Sequence, residues 1–80
     1  MFFVYAISSL KKNYIYVGLT DHVIRRFHDH NNGLEKTTRP YRPFELIFSK
    51  EYPDRIRARE SEKYYKSGKG KRYLKSLKFK

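Results

Sequence analysis

Phe2-Phe3-Val4-Tyr5-Ala6-Ile7-Ser8, a polar connector from Ser9 to Asn13, and Tyr14-Ile15-Tyr16-Val17-Gly18-Leu19 open the chain. Both apolar runs are rich in β-branched and aromatic residues, which suit a pleated surface, and the short connector can turn one into the other. Residues 2–19 therefore read as a β-hairpin. Alternation sends Phe3, Tyr5 and Ile7 to one face and Phe2, Val4 and Ala6 to the other. Both sets are apolar, so both faces of the sheet require cover, and helices are the expected cover.

The rest of the sequence supplies them. Thr20 or Asp21 can cap a helix over residues 21–32, with Val23, Ile24 and Phe27 as its apolar stripe and Asn32-Gly33 as a left-handed stop. Leu34 to Arg42 is polar and basic, contains Arg39-Pro40 and leads into Arg42-Pro43, and reads as an exposed loop. Phe44-Glu45-Leu46-Ile47-Phe48 reads as a third strand. Asp54 to Lys66 has good helix formers, with Ile56, Tyr64 and Tyr65 as its expected inner contacts, and Ser67-Gly68-Lys69-Gly70 interrupts the pattern. A short helix from about Lys71 to Leu77, anchored by Tyr73, Leu74 and Leu77, closes the chain. The order β-β-α-β-α-(α) is that of a small α/β (α+β) domain, and 80 residues make one unit spanning 1–80.

Charge narrows the partner. Nineteen Lys and Arg against 8 Asp and Glu give a formal net charge of +11. Such self-repulsion points to a polyanion, and nucleic acid is the first expectation. Lys36, Arg39 and Arg42 in the basic loop, and Lys63, Lys66, Lys69, Lys71 and Arg72 in a cationic C-terminal third that runs from Arg55 to Lys80, are the candidate phosphate contacts. Tyr64, Tyr65 and Tyr73 interleave with these charges and either stack on bases or belong to the core. The chain has no cysteine, which excludes disulfides, thiolate zinc sites and thiol nucleophiles and fits a reducing compartment. No apolar run is long enough to span a membrane and no export signal is present, so the expected location is cytoplasmic, with no membrane partner.

Hydrolysing a phosphodiester requires a poised water, a cation against the phosphorus oxygens and stabilisation of the leaving oxygen. Arg26, Glu62 and the two hairpin tyrosines can divide those tasks. Glu62 suits a hard cation such as magnesium, and equally a helix salt bridge, since Arg59 and Lys66 flank it. Arg26 can grip a phosphate with its planar fork, whereas Arg25 is more readily used in a pair with Asp29. His22, His28 and His30 do not make a zinc cluster, because i, i+2 neighbours on a helix point apart.

Phe3-Val4-Tyr5, Tyr16-Val17-Gly18, Arg26, His30-Asn31 and Ala58-x-x-x-Glu62-Lys63, in that order, resemble the GIY-YIG nuclease superfamily, and in particular its small stand-alone single-domain branch. The resemblance runs from Phe2 to about Leu74 and includes Thr37-Thr38-Arg39-Pro40-Tyr41-Arg42-Pro43 and the run from Glu62 to Gly68. Phe3 stands where the name-giving glycine usually stands. The resemblance implies a three-stranded antiparallel sheet flanked by helices, and an endonuclease that cuts DNA with structural or weak selectivity. It also implies one divalent cation, magnesium or manganese, held by Glu62, and no obligate protein partner. Tyr5 matches the tyrosine that activates water, Tyr16 the second active-site tyrosine, Arg26 the phosphate-stabilising arginine and His30 an assisting histidine, all around one shallow cleft. A phenol with a pKa near 10 needs a nearby arginine or a metal-bound water to favour its phenolate. Leu19 and Leu74 stand where several relatives carry a lysine and an asparagine, with Lys66 or Asn31 as possible substitutes in space. The alternative is a noncatalytic nucleic-acid-binding module on the same scaffold.

Overall fold

The structure, a computed structural model, describes residues 1–78; Lys80 of the cationic C-terminal third lies outside the described residues. The hairpin is formed by β1 (Phe2–Ser9) and β2 (Ile15–Thr20), paired antiparallel with Tyr5 opposite Gly18 and Ile7 opposite Tyr16. A third strand, β3 (Phe44–Tyr52), pairs antiparallel with the other edge of β1, giving the order β2-β1-β3 with β1 in the centre. Three α-helices accompany the sheet: α1 (Val23–Asn31), α2 (Arg55–Lys66) and α3 (Gly68–Lys78).

Because β1 is central and apolar on both faces, its residues Val4 to Ser9 are all buried. Val4 and Ala6 pack with Ile15, Val17, Ala58 and Leu74 on the face covered by α2 and α3. Tyr5 and Ile7 pack with Phe44, Tyr16, Val23 and Phe27 on the face covered by α1. These two half-cores fix which side chains can meet: what β1 sends toward α1 is separated by the sheet from what it sends toward α2.

Several boundaries differ from the sequence reading. α1 begins at Val23 because His22 is the cap, its Nδ1 accepting from Arg25 N at 3.3 Å, while Thr20 acts one step earlier by accepting from His22 N at 3.0 Å. The expected stop is present, with Gly33 at φ +75 donating to His30 O. Part of the basic loop forms a 3-10 turn over Arg39–Tyr41. β3 continues four residues past Phe48, since pairing with β1 carries the polar Ser49, Lys50 and Glu51 along as an exposed edge. On α2, Ile56 is 74% exposed and Tyr64 51%, and Ala58 is the buried residue. The helix phase places Ala58, Glu62 and Tyr65 toward the sheet, and a methyl side chain lets the backbone come close.

Ser67 is the only interruption between α2 and α3. Its Oγ accepts from Gly70 N at 3.3 Å and caps a helix that starts at Gly68, earlier than expected. Gly70 does not break the helix. It sits buried against the Tyr64 carbonyl and the Tyr65 Cα, where a Cβ would overlap both, so it is the point at which α3 closes onto α2. Leu74 and the partly buried Leu77 anchor α3 as expected, whereas Tyr73 is 47% exposed.

Gly70→Ala is expected to destabilise the domain by about 1–3 kcal/mol, the usual cost of overpacking against backbone. Gly68→Ala, where the added methyl meets nothing within 4 Å, is expected to be neutral or stabilising by up to ~1 kcal/mol. Urea denaturation of the two variants separates them, and equal effects would contradict the packing assigned to Gly70.

Candidate active site

On the α1 face, the Tyr5 hydroxyl lies 2.8 Å from His30 Nε2, and His30 Nδ1 lies 2.8 Å from Thr38 Oγ1. Thr38 Oγ1 in turn donates to the Glu35 carbonyl at 3.5 Å. Tyr5 is 1% exposed and His30 and Thr38 are fully buried, so this is a hydrogen-bonded chain withdrawn from bulk water. A proton assignment that satisfies every member has the phenol donating to Nε2, Nδ1–H donating to Thr38, and Thr38 donating onward.

Gly18 explains how the phenol reaches that position. A Cβ on Gly18 would come within 2.6 Å of the Tyr5 hydroxyl oxygen and 2.7 Å of its Cζ, so the ring lies across the bare backbone of the neighbouring strand. Tyr16, two residues earlier and half-buried, has its ring centroid 4.8 Å from that of His30 and 6.3 Å from that of Tyr5. No hydrogen bond engages the Tyr16 hydroxyl among the described residues. It is the open phenol of the pair.

Arg26, one turn before His30 on α1, lies beside the Tyr5 hydroxyl in the same cluster. Its Nη2 lies 2.7 Å from Glu35 Oε1 and its Nη1 3.3 Å from Asp29 Oδ2, with 27% of its side chain exposed. Asp29 thus pairs with Arg26. Arg25, expected to be its partner, pairs with Asp21 instead at 3.4 Å on the exposed side.

Burial sets the protonation states. The Tyr5 phenol is pushed up to about 12, by burial first and by Tyr16 next, and the nearby Arg26 guanidinium only partly offsets this. Arg26 does favour the phenolate, as expected, but burial outweighs it and Tyr5 is a neutral phenol at pH 7. His30 is held below the ordinary histidine value by burial and by the Arg26 charge, so it is a neutral imidazole with an acceptor nitrogen. For Arg26, burial opposes the charge, but the carboxylate of Glu35 and the Tyr5 hydroxyl outweigh it and its pKa is raised.

A hairpin with a phenol over a strand glycine, an arginine and a histidine on the following helix, and a glutamate on the helix after the third strand, reproduces the motif order noted in the sequence. A family model described as the GIY-YIG catalytic domain matches residues 1–75. The chain belongs to the GIY-YIG family. The solution NMR structure of the UPF0213 protein BH0048 from Bacillus halodurans is similar over 98% of this chain and 86% of that one, at 33% identity and a TM-score of 0.56. No curated protein matches. Membership in the GIY-YIG family means a nuclease-type fold, with nucleic acid as the class of substrate and, across the family's nucleases, general dependence on a divalent metal.

Of the GIY-YIG positions named from sequence, the structure brings Tyr5, Tyr16, Arg26 and His30 into one cluster. Glu62 stands apart. It lies on α2, the helix that covers the opposite face, one turn after Ala58, with 16% of its side chain exposed and Lys66 Nζ 3.3 Å from its carboxylate. No contact joins it to the other four among the described residues. As a lone carboxylate it fits a magnesium or manganese ion that keeps most of its waters, and such an ion would have to displace Lys66. No group of three or more His, Asp or Glu side chains able to hold a metal occurs among the described residues.

The supporting positions are also decided. Leu74 is fully buried and Leu19 half-buried in the α2-face core, so neither joins that cluster. Asn31 spends its amide on β3, accepting from Phe44 N at 2.7 Å and donating to Phe44 O. Lys36, Lys63, Lys69 and Arg72 are exposed, whereas Lys71 reaches back to the Ile15 carbonyl and is lowered by burial and by Lys66 and Lys75. Tyr64 and Tyr73 are about half exposed and Tyr65 packs partly into the core. Sequence reasoning missed Thr38 and Glu35. Both lie in the polar stretch from Leu34 to Arg42, and the likeness to the family's stand-alone members was noted there for Thr37 to Pro43, which includes Thr38 but not Glu35.

Since His30 binds its proton less readily folded than unfolded, its contribution to stability is full above about pH 6.5 and is lost as the pH falls through the lower folded value. Denaturation midpoints measured at about pH 7.5 and about pH 5 should fall further for the wild type than for His30→Gln. An equal fall in both would place the acid-sensitive group elsewhere.

Proposed function

We propose that this chain is a divalent-metal-dependent endonuclease that hydrolyses phosphodiester bonds in DNA with structural or weak selectivity. The observation that carries this reading is the buried Tyr5–His30–Thr38 chain beside Arg26, in a GIY-YIG chain of net charge +11.

Hydrolysis forms one bond from a water oxygen to phosphorus and breaks one phosphorus–oxygen ester bond. The water proton needs an acceptor, and the leaving oxygen takes its proton from solvent as it departs. A phenol raised to about 12 cannot wait as phenolate, so Tyr5 takes the water proton only as it hands its own to His30 Nε2. The neutral His30 is suited to receive it, and Thr38 holds the imidazole so that Nε2 faces the phenol. Tyr16 orients the water from the open side of the cluster. Arg26 offers its guanidinium to a nonbridging oxygen, and the phosphate takes the position that the 41%-exposed Glu35 carboxylate holds against Nη2. β2 is an edge strand, with Tyr16 on one face and α2 behind the other, so the scissile link would lie over that edge, where Glu62 can hold the ion. When bound, a divalent ion supplies positive charge against the phosphoryl and leaving oxygens. Lys36, Arg39, Arg42, Lys63, Lys66, Lys69 and Arg72 supply backbone attraction.

One observation favours the second reading, a noncatalytic binding module. Arg26 already faces two carboxylates, and the buried Leu74 and half-buried Leu19 offer no polar support.

Cleavage of plasmid and branched DNA with magnesium or manganese decides between them. Tyr5→Phe and His30→Gln should each slow cutting by about 10²–10⁴-fold. Arg26→Ala and Glu62→Gln should also lose activity, and the wild-type rate should hold through the ordinary histidine range and decline only as pH falls through the lowered His30 value. Wild-type binding without any cutting would select the binding module, and full activity in Tyr5→Phe would discard the proton path.

A further inference from the structure

Lys11, Asn31, Arg39, Pro40, Arg42 and Pro43 line an open cleft where the hairpin turn, the end of α1 and the Arg39–Tyr41 turn come together. Its three cations come from two chain segments far apart in sequence. No acidic side chain lines it, and none of the three cations forms an ion pair among the described residues.

The cleft is held open by bonds that do not use its charges. Buried Ser9 donates to the Tyr41 carbonyl at 2.6 Å and accepts from Lys11 N and Lys12 N, which fixes the hairpin turn to the 3-10 segment. Leu10 N donates to Pro43 O at 2.9 Å across the same seam. Arg39 and Arg42 each spend only Nε on backbone, on Gly33 O at 2.8 Å and Arg39 O at 3.2 Å. Their terminal amino groups are left for a ligand. Three gathered positive charges repel one another, and a fold that braces them together without a carboxylate among them is built for an anion with several acceptor oxygens.

We propose that this cleft binds two adjacent backbone phosphates of the nucleic acid, next to the one that enters the active site, and that it does so without reading sequence. Its backbone adjoins the active site: Asn31 follows His30 and Arg39 follows Thr38, with the first of each pair turned outward and the second inward. The one amide in the cleft, that of Asn31, is committed on both its oxygen and its nitrogen to Phe44 and is not free for a base edge. Prolines, Lys11 and the two guanidinium groups complete the lining, and as phosphate contacts these cations fix the strand's position. The inference rests on the nucleic-acid reading of the chain, and it is independent of whether the chain cuts.

Binding of fluorescent duplexes in EDTA, where no metal-dependent cutting occurs, tests it across about 50–200 mM salt. Lys11→Gln/Arg42→Gln should lower the slope of log affinity against log salt by about 2, since each lost phosphate contact removes about 0.9. Arg55→Gln/Arg59→Gln on α2, with the same loss of charge, should change it by less than ~1. Arg42→Lys, which keeps the charge, should retain most of the slope, and Lys11→Gln alone, in an exposed turn, gives a folded variant that should lose about 0.9. Two duplexes of different sequence should weaken by the same factor. Run on DNA and on RNA duplexes, the polymer whose slope falls is the one the cleft holds. Equal slopes for the cleft pair and the α2 pair on both polymers would overturn the proposal, as would weakening confined to one sequence. Cleft-dependent binding by a protein that never cuts would leave the cleft standing and remove the nuclease instead.

Discussion

The contact between the Tyr5 hydroxyl and His30 Nε2, 2.8 Å long and buried, joins residues 25 apart and is the constraint around which the α1 face is arranged. For the phenol to reach the imidazole, its ring must cross β2, which is possible only over Gly18. For the imidazole to present Nε2, its other nitrogen must be held, and Thr38 holds it. The glycine of the Tyr16-Val17-Gly18 motif is thus a steric requirement of the tyrosine on the strand beside it. Loss of any one of the three would leave a buried polar group without its partner, at a cost of about 1–3 kcal/mol.

Burial also governs the electrostatics. In a chain of net charge +11 an exposed tyrosine would be drawn toward its anion, yet Tyr5 moves the other way because the sheet and α1 shield it from water. The same shielding, with Arg26 nearby, keeps His30 neutral. A neutral phenol against a neutral imidazole places no charge in the buried site until a proton moves. Asp29 and Glu35 hold the Arg26 guanidinium in place and offset its charge. Glu62 lies on α2, the helix that covers the other face of the sheet, where it pairs with Lys66.

Much of the fold was legible because the signals were local. Alternation in residues 2–19 showed the hairpin and the need to cover both its faces, and Pro53-Asp54 marked the start of α2, where Asp54 accepts from Arg57 N at 2.8 Å. The errors arose where tertiary contact overrode local pattern. Ile56 reads as a core residue but faces solvent, because the small Ala58 sets the phase of α2 against the sheet. Gly68 and Gly70 read as breakers, but Ser67 caps the turn before them and α3 needs Gly70 bare to approach α2. At the site, the motif order identified the cluster formed by Tyr5, Tyr16, Arg26 and His30. Thr38 and Glu35 were invisible, since a threonine and a glutamate in a basic polar loop carry no mark of burial or pairing. The protonation state of Tyr5 was not legible for a related reason: desolvation depends on surrounding layers that no short motif describes.

The direction of the Tyr5–His30 hydrogen bond is the most direct test of this account, and nitrogen-15 NMR of the His30 imidazole at neutral pH reads it without any substrate. The account predicts a neutral ring with the proton on Nδ1, facing Thr38, and a bare Nε2 accepting from the phenol. A proton on Nε2, with Tyr5 as the acceptor, would leave the phenol no base to receive its proton and would contradict it.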